Sequence, residues 1–152
     1  MSQFNPETVI EKVKKGESLE KVDLKKIKLT HVDLQGGHFR EVIFTKADLS
    51  YCNLNKADLR GAIMIGINLS HASLVGANLH RVKLCGADLT GADLTNADLS
   101  GADLSGVELF DSNLSGANLS GVDLSGTDLN HAILIGVNLS GAILDRTKFK
   151  DG

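Results

Sequence analysis

The chain has 152 residues, 42% of them apolar, with a net charge of −3, and this length fits one domain. There is no Trp, and Phe and Tyr make up only 4%, so an ordinary ring-filled globular core is excluded in favour of a narrow one lined by Leu and Ala. Charge is uneven: residues 1–60 hold 11 of the 16 Lys and Arg against 9 acids, whereas Leu84 to Asp145 has no Lys or Arg and eight acids fall between Asp88 and Asp128. That segment argues against a nucleic-acid backbone binder of the basic kind.

Asn5-Pro6-Glu7 reads as a helix start, with an Asn N-cap, Pro in the first helical position and an acid in the first turn. Val9, Ile10 and Val13 give it one apolar stripe, Lys12, Lys14 and Lys15 suit its carboxyl end, and Gly16 ends it. Ten such residues are marginal alone, so the helix is expected to lie against the apolar residues that begin at Leu19.

From Leu19 every fifth residue is Leu, Phe or Met, through Leu24, Leu29, Leu34, Phe39, Phe44 and Met64 to Leu144 and Phe149. These 27 positions hold phase without an insertion. A second series of mostly small residues stands two places earlier, as at Ala47, Cys52, Ala57 and Ala62. A period of five is neither 3.6 nor 2, so the chain must turn within each unit and stack on itself to bury its apolar side. Gly37 leaves room for the Phe39 ring, Ser112 and Thr127 replace small apolar residues and can bond locally, Cys52 points inward and Cys85 outward.

Ala87-Asp88-Leu89-Thr90-Gly91 resembles, residue for residue, the A(D/N)LXX unit of the pentapeptide-repeat family, and the likeness spans roughly residues 17–150. It implies an all-β solenoid, a right-handed quadrilateral β-helix with four pentapeptides per coil and about seven coils. The expected organisation is a capping helix over 1–16 and the repeat over 17–152. Residues twenty apart then become neighbours, which sets Asp88, Glu108 and Asp128 in one outward column.

The outward positions supply the candidate partner-binding residues. Ile43, Ile63 and Ile65 are expected on one face, Ile133 and Ile135 with Val75 on another, and Asp88, Glu108 and Asp128 as an acidic strip with Phe110 as the one outward ring of the acidic half. The final coil exposes its core, which predicts a homodimer through that end. His31, Tyr51, His71 and His131 share a column too widely spaced for a shared zinc ion, and a convex surface gives Ser, Asp and His no cleft for catalysis. The expectation is therefore no enzyme, cofactor or metal. The function expected is a non-catalytic module presenting an outer rod surface to a protein partner. The resemblance adds a DNA mimic acting on a topoisomerase as an alternative, and a stable spacer is a third. No direct nucleic-acid or membrane contact is expected, and a cytoplasmic location is the default.

Overall fold

The computed structural model describes residues 4–150. Its helix α1 spans Pro6–Lys14, with Asn5 as N-cap: Asn5 Oδ1 accepts from the Thr8 amide at 2.8 Å. Val9 is fully buried, and Ile10 and Val13 pack partly buried against the same core. Lys12 Nζ reaches Glu17 at 2.8 Å, tying the helix to the first unit of the repeat.

The inward series is as regular in space as in sequence. Every member from Leu19 to Leu129 is buried, joined by the small series from Ala47 to Thr127. Each buried Leu contributes about 1.5–3 kcal/mol. Phe39 and Phe44 lie with ring centroids 5.4 Å apart. A Cβ on Gly37 would stand 3.0 Å from two Phe39 ring carbons and run into a third, Cε2, so the ring occupies the space the missing side chain leaves. The inward polar groups bond to backbone: Ser112 Oγ donates to Leu109 O at 2.7 Å and Thr127 Oγ1 to Leu104 O at 2.8 Å. Among the described residues no buried side-chain nitrogen or oxygen lacks a partner.

The expected all-β solenoid, a right-handed quadrilateral β-helix, is corrected by the backbone. Among the described residues there is no extended strand and no sheet; α1 is the sole helix, and pairing is confined to isolated single-residue parallel bridges such as Asp88↔Glu108. The reason is the spacing of the corners. From Lys21 to Arg146 every fifth residue has a positive φ, His131 excepted. In the unit Leu89–Ala92 the Ala92 amide donates to Leu89 O at 3.0 Å and Gly91 sits at φ +66°, the positive third residue of a type II turn. A corner every five residues leaves one residue free to pair before the chain turns again. Twelve of these positions are not glycine, and each such residue costs about 1–2 kcal/mol in the left-handed region.

Backbone bonds between successive circuits of twenty residues offset that cost. The Leu89 amide donates to Glu108 O at 2.8 Å, and the Glu108 amide donates back to Ala87 O at 3.0 Å. Within a unit, the Asp or Asn before the Leu accepts from the amide two residues on. Asp98 Oδ1 takes the Ser100 amide at 3.0 Å and the Ser100 hydroxyl at 2.6 Å. Asp98→Ala is expected to lower stability by about 1–2 kcal/mol, while Asp98→Asn, which keeps the acceptor, stays close to the parent; urea unfolding of the three proteins checks this.

Candidate functional site

The corner positions gather side chains by column. Tyr51 lies between His31 and His71, with ring centroids 4.7 and 4.9 Å away and nearly parallel planes. Ile43 and Ile63 form a bridge pair, both half-buried, and Ile65 is exposed two residues further on. Ile133 and Ile135 are exposed in the last circuit, and Val75 stands three circuits from Ile135 rather than beside it. Asp88, Glu108 and Asp128 are successive bridge partners, with Lys148 next in the column.

The repeat is interrupted around Glu108 and Asp128. By the pattern of the other circuits the Leu109 amide would donate to Asp128 O, the Asp111 amide to Asn130 O and the Asp128 amide to Val107 O. Among the described residues the Asp111 bond does not form, and the other two, which make the Glu108↔Asp128 bridge, are weaker there than the short bonds of the other circuits. His131 is the corner whose φ is not positive. Glu108 also departs from its column. Asp48, Asn68, Asp88 and Asp128 each accept from the amide two residues on, at 2.9–3.0 Å, but Glu108, one methylene longer, does not hold the Phe110 amide. Where Ser50, Ser70 and Thr90 precede it in the column, Phe110 is 51% exposed and its ring meets that of His131 at 4.6 Å.

The outcome is a cleft of about 340 Å³ lined by Glu108, Phe110, Asp128 and His131 over Val107 and Leu109. The sequence singled out Glu108, Phe110 and Asp128 but missed His131, which reads there as one more surface histidine. Its sequence context, Asn130-His131, gives no signal that this corner turns differently. A second cleft, of about 290 Å³, brings Arg40, Arg60 and Arg81 near His80. Its charge is largely compensated: Arg60 binds both Asp58 oxygens, at 2.8 and 2.6 Å, and Arg40 lies 3.6 Å from Glu41. The hydrogen bond from Arg60 holds the Asp58 carboxyl below its usual range. Among the described residues no group of three His, Cys, Asp or Glu is placed to hold a metal ion, and no helix is long and apolar enough to cross a membrane.

The family model for pentapeptide repeats matches the chain in eight copies, over residues 23–61, 52–91, 72–109, 87–126 and 112–151. The chain belongs to the pentapeptide-repeat family. Members are typically non-catalytic structural modules, and this chain is not an enzyme. No curated protein matches it. Among solved structures it is similar to QnrB1, a plasmid-mediated fluoroquinolone resistance protein, at 18% identity over 90% of this chain and 81% of that one, with a TM-score of 0.43. HetL, involved in heterocyst differentiation regulation in the cyanobacterium Nostoc sp. strain PCC 7120, is 27% identical over 96% and 95%, with a TM-score of 0.29. A pentapeptide repeat protein of the Arabidopsis thaliana thylakoid lumen is 38% identical over 62% and 59%, with a TM-score of 0.28. Superpositions this loose carry no activity across.

The function expected from the sequence is corrected along with the fold. An outer rod surface offered to a partner, a DNA mimic and an inert spacer all presuppose the β-helix. A backbone of isolated bridges, with no strand or sheet among the described residues, does not supply it.

Proposed function

We propose that this pentapeptide-repeat protein is a structural module that joins a second copy of itself through the open face of its last described circuit. The observation that carries this reading is the loss of burial there. Leu129 is buried, Leu134 and Leu139 are half-buried, and Leu144 is 41% exposed although it holds the same place in the repeat. The backbone changes in step. Among the described residues the amides of Leu134, Leu139 and Leu144 have no hydrogen-bond partner, and neither have the carbonyls of Ala132, Val137 and Ala142. A face with both donors and acceptors is complementary in kind to its own copy, as a twofold interface requires. Near the other end of the described chain, the α1 side chain Val9 is buried in the core, so the two ends differ.

Sedimentation equilibrium of the full chain tests the reading. A dimer is expected, and Leu144→Asp combined with Phe149→Asp should weaken it roughly tenfold to hundredfold, the worth of one well-buried apolar side chain. A parent that stays monomeric at the highest attainable concentration sinks the proposal.

A further inference from the structure

We propose that the cleft between Glu108 and Asp128 is a binding site for an arginine side chain carried on a partner polypeptide. Four features of the cleft converge on that chemistry. Its two carboxylates belong to bridge partners, so their backbones lie about one strand spacing, 4.8 Å, apart. Among the described residues neither carboxylate has an ion-pair partner. Glu108 has been released from the turn-capping task that its column mates perform, while Asp128 uses only Oδ1, on the Asn130 amide at 2.9 Å. Like charges stacked this way repel, and a cation between them removes the repulsion.

The second feature is the exposed Phe110 ring, braced at 4.6 Å by His131. A guanidinium is planar and weakly hydrated, so it stacks on such a face while its in-plane N–H groups reach carboxylates; an ammonium does this less well. The third is the loosened backbone: Asn130 O, left without the Asp111 amide that the repeat would give it, is a further acceptor for a group with five N–H donors. The fourth is bareness on the far side. Gly106 and Gly126 form that margin of the cleft, and a Cβ placed on either would meet nothing within 4 Å, so the approach is open.

A polypeptide is favoured over free arginine because a free amino acid brings its own carboxylate. No Lys or Arg lines the cleft to receive it, and the lining carries two negative charges already. An arginine within a chain presents neutral amides there instead. The site is distinct from the open end and does not depend on dimer formation.

The test titrates acetyl-Gly-Arg-Gly-amide into the isotopically labelled full chain and follows amide shifts. Binding is expected with shifts centred on Glu108–Phe110 and Asp128–His131. The lysine peptide should bind at least fivefold more weakly, and the citrulline peptide and free arginine more weakly still. Glu108→Gln and Phe110→Ala, both at exposed positions, should each weaken the arginine peptide at least fivefold, whereas Leu144→Asp leaves its affinity unchanged. Equal affinity for the arginine and lysine peptides, free arginine binding as tightly as the peptide, shifts located elsewhere, or indifference to Glu108→Gln would each overturn the assignment. Retained native amide dispersion in the two variants separates lost binding from lost folding.

Discussion

Gly37→Val is expected to destabilise the protein by about 3 kcal/mol, and Phe39→Leu in the same chain to restore much of the loss. The position is not at a corner and its φ is not in the left-handed region, so backbone strain is not the cause. The cause is steric. The nearest obstacle to a new side chain is the Phe39 ring, itself fully buried, with Phe44 beside it, so the ring cannot swing away without opening a void. Inserting methylenes into a filled core costs about 1–3 kcal/mol, and a branched side chain against an immovable ring belongs at the upper end. For a chain of this size that lowers the melting temperature by roughly 2–4 °C per kcal/mol. Phe39→Leu alone destabilises by removing ring contacts; together with Gly37→Val the two should couple by about 1–3 kcal/mol. Strict additivity in calorimetry would show that the glycine is not there to make room for the ring.

Stability should fall between about pH 9 and pH 11 in the parent and fall less in Cys52→Ala. Burial pushes the Cys52 thiol up to about 11 from an ordinary value of 9.0, and its Sγ donates to Leu29 O at 2.6 Å. The folded protein therefore holds a proton that the unfolded chain releases. That favours the folded state below pH 9, and the advantage is lost as pH rises towards 11, a difference of about 2–3 kcal/mol for a shift of this size. Alanine stands at many equivalent inward positions, so the variant keeps the packing style and removes the titration. Urea unfolding of both proteins at pH 8, 9, 10 and 11 gives the comparison, in which the other alkaline groups cancel. A thiol reagent supplies the matching kinetic result: exposed Cys85 reacts at once, and Cys52 reacts only as fast as the protein opens. Parallel pH curves for parent and variant would contradict the assigned burial effect.

Much of the interior was readable from the sequence because it obeys one rule. A Leu every fifth residue, a small residue two places earlier and a glycine before Phe39 each state a volume, and volumes in a narrow core leave few choices. The Asn5 cap was readable for a local reason, since a side chain three residues from its amide needs no long-range information. The absence of strands was not readable. The leucine period shows that the chain turns, but not that each corner adopts a positive φ and cuts pairing to one residue per unit.

The cleft was half readable. Glu108 and Phe110 stand out as departures from Asp and from Ser or Thr. Their effect comes from one extra methylene in Glu108 and from the different φ of His131, neither of which alters a pattern of polar and apolar letters. The loss of burial from Leu134 to Leu144 was expected from the stacking of the repeat, although those residues are spelled like the buried ones before them.

The bridges join residues twenty apart while the core repeats every five, so the inside and the outside of this protein count in different units. Remove one five-residue unit and every later Leu still falls on a Leu position. Every outer column shifts by one side. A deletion between Asp88 and Glu108 would stack Glu108 beside Lys83 instead, with the core none the wiser. Loss or gain of four units leaves both registers intact. Over generations, then, such a chain can lengthen or shorten by whole circuits without disturbing its surface, and by single units it can reshuffle that surface without rewriting its interior.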